Sequence, residues 1–148
     1  MSLTTIRHEF VEYIPSELDE NVLYVSIQFA IAVHKCACGC CNKVVTPFSP
    51  VEWQLGFDGE SVSLSPSIGN WAFPCQSHYW IKNDTICWAG AWDKEQIIEG
   101  YQRDARELER YFAKRAVQLE SNREEDELLK SRHFIQELWR KMHRRFTR

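Results

Sequence analysis

Two short clusters constrain this fold more than any other feature. Cys36, Cys38, Cys40 and Cys41 fall within six residues around Gly39, and Cys75 comes much later with His78 at C-x-x-H spacing. Two ligands from one tight turn and two from another is the usual way to hold one zinc ion. Thiolate and imidazole are the soft and borderline donors that Zn2+ prefers. The two stretches must therefore meet in space. Alternate residues of an extended segment diverge, but in a tight turn they converge, and Gly39 permits the positive φ such a turn needs. The candidate ligands are Cys36, Cys38, Cys40, Cys41, Cys75 and His78, more than one tetrahedral ion takes. His34 is a further ligand, a supporting group or a plain strand residue. Cys87 reads as a buried free thiol on a strand.

Cysteine usage also bears on location. The segment Met1-Ser2-Leu3-Thr4-Thr5-Ile6-Arg7 lacks the basic and long apolar regions of an export signal. The longest apolar run, Phe29 to Val33, is far too short for a membrane span. A cytoplasmic chain without membrane association is expected. There thiols stay reduced, so six cysteines favour metal over disulfides, the alternative being a secreted disulfide protein. Asn83-Asp84-Thr85 fits a glycosylation sequon but reads here as a turn.

The chain changes character at residue 93. Residues 1–92 carry four Lys/Arg against nine Asp/Glu, and residues 93–148 carry fourteen against twelve. The first part reads as β throughout. Residues 5–14 are rich in β-formers and are stopped by Pro15. Leu23 to Val33 is apolar on both faces, as in a central strand that leads into the cysteine turn. Lys43 to Thr46 is a short strand. Asp58-Gly59 and Asn83-Asp84 each sit between strand-like runs as hairpin turns. Ser65 to Asn70 reads as an irregular loop. The expected class is α+β. Residues 1–92 form a small antiparallel β domain of six or seven strands, a sandwich or partly open barrel with the zinc site.

Residues 93–148 form a helical extension. Asp93-Lys94-Glu95-Gln96 fits a capping box. Apolar residues then recur three or four apart from Ile97 to Leu119, and again from Leu128 to Phe146. Ser121-Asn122 and the acidic Glu124 to Glu127 separate the two stripes. The choices are one long bent helix or a helical hairpin, and the hairpin is expected because each stripe needs a partner. Residues 131–148 carry six Lys/Arg and two His against one Glu. They read as the solvated face of an amphipathic helix rather than a nucleic-acid site. Copies of the chain would associate through these helices, the basic end of one meeting Glu124 to Glu127 of another.

Two residues of the Ser65–Asn70 loop are candidates for chemistry. If the fold lays the loop over the metal, Ser67 or Asn70 can bind substrate or stabilise an oxyanion. Otherwise these side chains cap backbone groups. Ser77 and His78 are sequence neighbours, which in a strand places them on opposite faces. For the metal, the simpler reading is a zinc that only staples the fold.

Several strings together resemble a bacterial domain family of unknown function. They are His8-Glu9-Phe10-Val11, His34-x-Cys36-x-Cys38-Gly39-Cys40, Val44-Val45-Thr46-Pro47, Asp58-Gly59, and Pro66-Ser67-Ile68-Gly69-Asn70-Trp71-x-Phe73-Pro74-Cys75-x-Ser77-His78-Tyr79-Trp80-Ile81. The resemblance spans His8 to Trp88 and leaves out the helical tail. Cys41 departs from the pattern, where glycine is usual, and ranks below Cys36, Cys38 and Cys40 as a ligand. Members are encoded beside ubiquitin-like proteins and E1- and E2-like enzymes, in operons attributed to antiphage defence.

The resemblance implies partners of those kinds and two functions. One is a zinc-dependent peptidase that processes or removes a ubiquitin-like protein. Three ligands would hold Zn2+ with an open position for water, and Ser67 and Asn70 would position the peptide or its oxyanion. No H-E-x-x-H is present, and Glu52 and Glu60 are the nearest acidic candidates for a base. The other is a binding module with closed structural zinc, acting as an E3-like adaptor. The peptidase is the expected function and the adaptor the alternative, and water in the metal shell would distinguish them.

Overall fold

The computed structural model describes residues 2–146. Eight strands are followed by one helix: β1 (Arg7–Phe10), β2 (Val22–Ser26), β3 (Ile31–Lys35), β4 (Lys43–Pro47), β5 (Gln54–Phe57), β6 (Val62–Gly69), β7 (His78–Lys82), β8 (Thr85–Trp88) and α1 (Lys94–Phe146). The strands form two four-stranded sheets, ordered β1-β2-β3-β4 and β5-β6-β7-β8. Their inner faces share one core. Leu23, Val25, Ala32 and Val44 come from the first sheet, and Val62, Leu64, Ile68, Tyr79, Ile81 and Ile86 from the second. Burying each such side chain contributes about 1.5–3 kcal/mol, so this shared layer holds the sheets together.

β2 is buried along its whole length. Its outer face is covered by the polar segment before it, where the Tyr24 hydroxyl donates to Asp19 Oδ2 at 2.9 Å. That segment also explains a departure from the expected all-antiparallel domain. β1 pairs with β2 in parallel, Arg7 opposite Val22. The intervening stretch, broken by Pro15, returns the chain to the start of β1 instead of folding a tight hairpin.

Both expected hairpin turns are present. Gly59 has φ 102°, and the Asp58 carboxylate accepts from the amides of Glu60 at 2.9 Å and Ser61 at 2.7 Å. Asn83 and Asp84 both have positive φ, 48° and 57°, which suits a primed turn between β7 and β8. The stretch Ser65–Asn70, expected as a loop, is mostly strand. β6 runs to Gly69, with its register against β7 shifted between Leu64 and Ile68. Pro66 lies in the shift and has no amide hydrogen for the ladder.

The expected helical hairpin is corrected to a single 53-residue helix. Its start is the capping box read from sequence: the Gln96 amide donates to Asp93 Oδ1 at 2.8 Å, and Gln96 Oε1 accepts from the Asp93 amide at 3.0 Å. Ser121-Asn122 and the acidic run do not break it. Glutamate is a good helix former, and neither glycine nor proline follows Gly100. Gln118 bonds Asn122 at 2.9 Å across the supposed break. Phe112, Leu128, Leu129, Phe134 and Ile135 stay exposed. The chain divides into two compact units, Met1–Asp104 and Ala105–Arg148; the first contains both sheets, and the second is helical. Among the described residues, no helix is long and apolar enough to cross a membrane.

Candidate active site and metal centre

The cysteine turn starts where β3 ends. The Cys36 amide donates to Asn42 O at 2.8 Å and the Gly39 amide to Cys36 O at 3.1 Å. Gly39 at φ 86° and Cys41 at φ 60° close the turn. This folds Cys36, Cys38 and Cys40 onto one side. The segment before β7 supplies Cys75. The four sulfurs lie within 4.8 Å of one another. Measured pairs are 3.4 Å for Cys36–Cys38, 4.0 Å for Cys36–Cys75 and 3.7 Å for Cys40–Cys75. Four thiolates about 2.3 Å from one Zn2+ would be separated by about 3.8 Å, so the set fits a tetrahedral ion.

The surroundings of these thiols also suit a metal. Burial pushes the Cys36 and Cys38 thiols up. Burial pushes Cys40 the same way, but the Asn42 backbone amide and the neighbouring thiols outweigh it and bring Cys40 down to about 7. Cys40 therefore ionises more readily than Cys36 and Cys38, and a divalent cation would hold the set as thiolates. Around the sulfurs, Ser77 Oγ lies 3.0 Å from Cys36 Sγ, and Asn42 Nδ2 donates to Cys40 Sγ at 3.2 Å. Cys41 is exposed, with its sulfur 3.7 Å from Gly39 O. Cys87 is a half-buried free thiol outside the group.

His78 lies elsewhere. Along Cys75-Gln76-Ser77-His78, Cys75 and Ser77 face the thiols while His78 faces the other way, into a second site. Its Nε2 is 2.9 Å from Ser67 Oγ, and its Nδ1 is 3.2 Å from Gly90 O. A carbonyl oxygen can only accept, so Nδ1 carries the proton and Nε2 is the acceptor for the Ser67 hydroxyl. The sheet sets this geometry. His78 opens β7 opposite Gly69, and the Ala89 amide bonds His78 O at 2.9 Å, which brings Gly90 alongside. Ile68 turns into the core, leaving Ser67 and Gly69 on the outer face of β6.

Three tryptophans enclose the imidazole, which is only 5% exposed. Trp71 and Trp92 pack edge-on at 4.9 and 5.1 Å between ring centroids, and Trp80 is tilted at 5.6 Å. Trp71 stacks on Trp92 at 5.1 Å and 17°. A Cβ on Gly69 would fall inside the Trp71 indole, and one on Gly100 would come within 3.0 Å of Trp92. These glycines make room for the rings.

Asn70 belongs to the thiol side. Its Nδ2 donates to Ser77 Oγ at 2.9 Å, and it lies 3.4 Å from the Tyr79 hydroxyl and 3.7 Å from Cys36 Sγ. His34 is fully buried, with Nε2 2.9 Å from the Tyr79 hydroxyl. The structure therefore brings together Cys36, Cys38, Cys40 and Cys75 in one place and Ser67 with His78 in another. Asn70 adjoins the first group only.

A half-buried serine hydroxyl at hydrogen-bond distance from a buried histidine is an arrangement that nucleophile and base adopt. Residues 10–89 match the family described as bacterial ubiquitination-like system serine protease (BubE). The chain belongs to that family. The match contains all four clustered cysteines, Ser67 and His78. It gives a protease description to what resembled a family of unknown function, and it places the chain in a bacterial ubiquitination-like system. No curated protein and no solved structure matches the chain.

Sequence reasoning missed the pairing of Ser67 with His78, and it gave no role to Trp71, Trp92 or Gly90. C-x-x-H spacing suggested convergence on a metal. The available counter-signal was strand alternation: once Cys75 and Ser77 face the thiols, His78 must face away.

Proposed function

We propose that this chain is a serine-type peptidase that processes or removes a ubiquitin-like protein in a bacterial ubiquitination-like pathway. The observation that carries the reading is the 2.9 Å contact from Ser67 Oγ to a His78 whose other nitrogen is fixed by Gly90 O. Ser67 Oγ attacks the scissile carbonyl carbon and its proton passes to His78 Nε2. The carbonyl electron pair moves to oxygen and returns as the C–N bond breaks, and the departing amine takes the proton from Nε2. Water then hydrolyses the ester by the same route. Gly90 O holds the tautomer and offers a dipole to the imidazolium, the role a carboxylate has in a triad. The tryptophans keep water from Nε2.

Cys36, Cys38, Cys40 and Cys75 are the proposed ligands of a Zn2+ that staples the turn after β3 to the segment before β7. Four protein ligands leave no open position for a metal-bound water, which favours a structural ion over the zinc-peptidase chemistry expected from sequence. The E1- and E2-like enzymes of the pathway are the proposed partners, in the cytoplasm and in antiphage defence. Association between copies is assigned to α1, on which Phe112, Leu128, Leu129, Phe134 and Ile135 are exposed.

The test is cleavage of a C-terminally extended ubiquitin-like protein of the pathway, followed by intact mass. Wild type cleaves; Ser67→Ala and His78→Ala do not, while keeping fold and metal content. Cleavage by folded Ser67→Ala would overturn the reading.

A further inference from the structure

The pair of Ser67 and His78 explains attack but not what receives the charge on the carbonyl oxygen. Asn70, the residue expected from sequence for that task, is tied to Ser77, Tyr79 and Cys36. The donor must lie on the outer face of β6, next to Ser67. Trp71 has such a donor. Its indole Nε1 is among the atoms that a Cβ on Gly69 would strike, so the N–H edge of the ring crosses directly over Gly69. Ser67 and Gly69 share the outer face of β6. The same indole packs edge-on against His78, which holds the Ser67 hydroxyl. The N–H edge therefore lies on the same face of β6 as the nucleophile, two residues along the strand.

Two further observations single it out. Among the described residues Trp71 Nε1 makes no hydrogen bond, and it is not sealed from solvent as Trp53 Nε1 is. Its ring is also held, stacked on Trp92 at 17°. A fixed donor with no partner in the resting protein is what electrostatic preorganisation requires, since it pays no reorganisation when charge develops.

We propose that the Trp71 indole N–H is an oxyanion donor for the Ser67 acyl-transfer reaction, and that Gly69 is glycine to let that edge reach the site. This rests on the reading of Ser67 as nucleophile. The carbonyl oxygen of the substrate gains charge as the Ser67 Oγ–C bond forms, and Trp71 Nε1–H donates to it until the bond to the leaving amine breaks.

A fluorophosphonate probe tests the nucleophile and the donor separately. Ser67 Oγ displaces fluoride from phosphorus, His78 takes the proton, and the phosphonyl oxygen occupies the place of the oxyanion. Wild type is expected to label at Ser67. Trp71→Phe keeps an aromatic ring on Trp92 but removes the donor, and should lower the plateau labelling rate on the order of 100-fold, as loss of one oxyanion donor does. The pH midpoint of labelling should stay at the wild-type value. Gly69→Ala, which pushes the indole away but keeps its N–H, should slow labelling in the same way. Wild-type rates in folded Trp71→Phe, or in Gly69→Ala should Trp71→Phe not fold, would overturn the proposal and leave the serine reading standing. So would a shifted pH midpoint, which marks a packing effect on His78. Undiminished labelling of Ser67→Ala, or none of wild type, would remove the serine reading and the proposal with it.

Discussion

Tyr79→Phe removes one buried oxygen with no change in ring volume, and its cost can be worked from the surroundings. The Tyr79 hydroxyl is 2.9 Å from His34 Nε2, 3.4 Å from Asn70 Nδ2 and 3.5 Å from the Ala37 amide. Asn70 and Ala37 are donors, and His34 Nε2 is the closest of the four partners that include the Cys36 sulfur, so the phenol proton is assigned to His34 Nε2. That leaves the His34 proton on Nδ1, which has no partner among the described residues. Burial lowers the His34 pKa from 6.5 to about 4, so the ring is neutral at pH 7. Phenylalanine leaves Nε2 without a partner as well. Orphaning a buried polar group costs about 1–3 kcal/mol, and the two longer contacts add less, so the change should destabilise by about 2–3 kcal/mol. For a unit of this size that is a fall in Tm of about 10–20 °C. Ala37 lies between two proposed ligands, Cys36 and Cys38, and Asn70 lies 3.7 Å from the Cys36 sulfur. Metal affinity should therefore fall about tenfold or more, as when other supporting contacts of ligands are lost. Urea denaturation with metal saturated, and competition with a chromophoric chelator, measure the two effects. A loss below about 0.5 kcal/mol, outside the range for an orphaned buried group, would refute the orphan argument.

Cys75→Ser should lower metal stoichiometry and Tm together, since it removes the ligand that joins the two segments; full Zn2+ occupancy by elemental analysis would count against the four-thiolate site. Ser67→Ala and His78→Ala should each reduce kcat by several powers of ten, and the double variant should be little worse, because the two act as one unit; additive losses would mean separate roles. Asp58 is held down from 3.8 to about 2, mainly by the Ser61 and Glu60 amides. A depressed carboxylate contributes stability that is present above pH 3.8 and lost as pH falls toward 2; an NMR titration of its carboxyl with a midpoint at 3.8 would refute that. Charged substitutions at Leu128 and Phe134 should shift sedimentation toward the monomer; an unchanged profile would remove α1 as the place of self-association.

Local signals carried much of this fold. Asp58-Gly59 and Asn83-Asp84 specified their turns because few residue types accept the positive φ found at Gly59, Asn83 and Asp84. Asp93 and Gln96 announced the helix start through bonds between near neighbours. Cys36, Cys38 and Cys40 with Cys75 announced a shared centre, because thiolates clustered at that spacing suit one metal ion. The β class followed from composition and period up to residue 92.

The remainder depended on contacts that no local pattern encodes. The parallel pairing of β1 was decided by where the Pro15 segment returns the chain. The second centre was decided by sheet register. The opening clusters placed His78 with the cysteines; strand alternation and the shifted ladder of β6 put it on the opposite face, against Ser67 and within reach of Gly90. Sequence named both residues, and the pairing of β6 with β7 decided that they face each other.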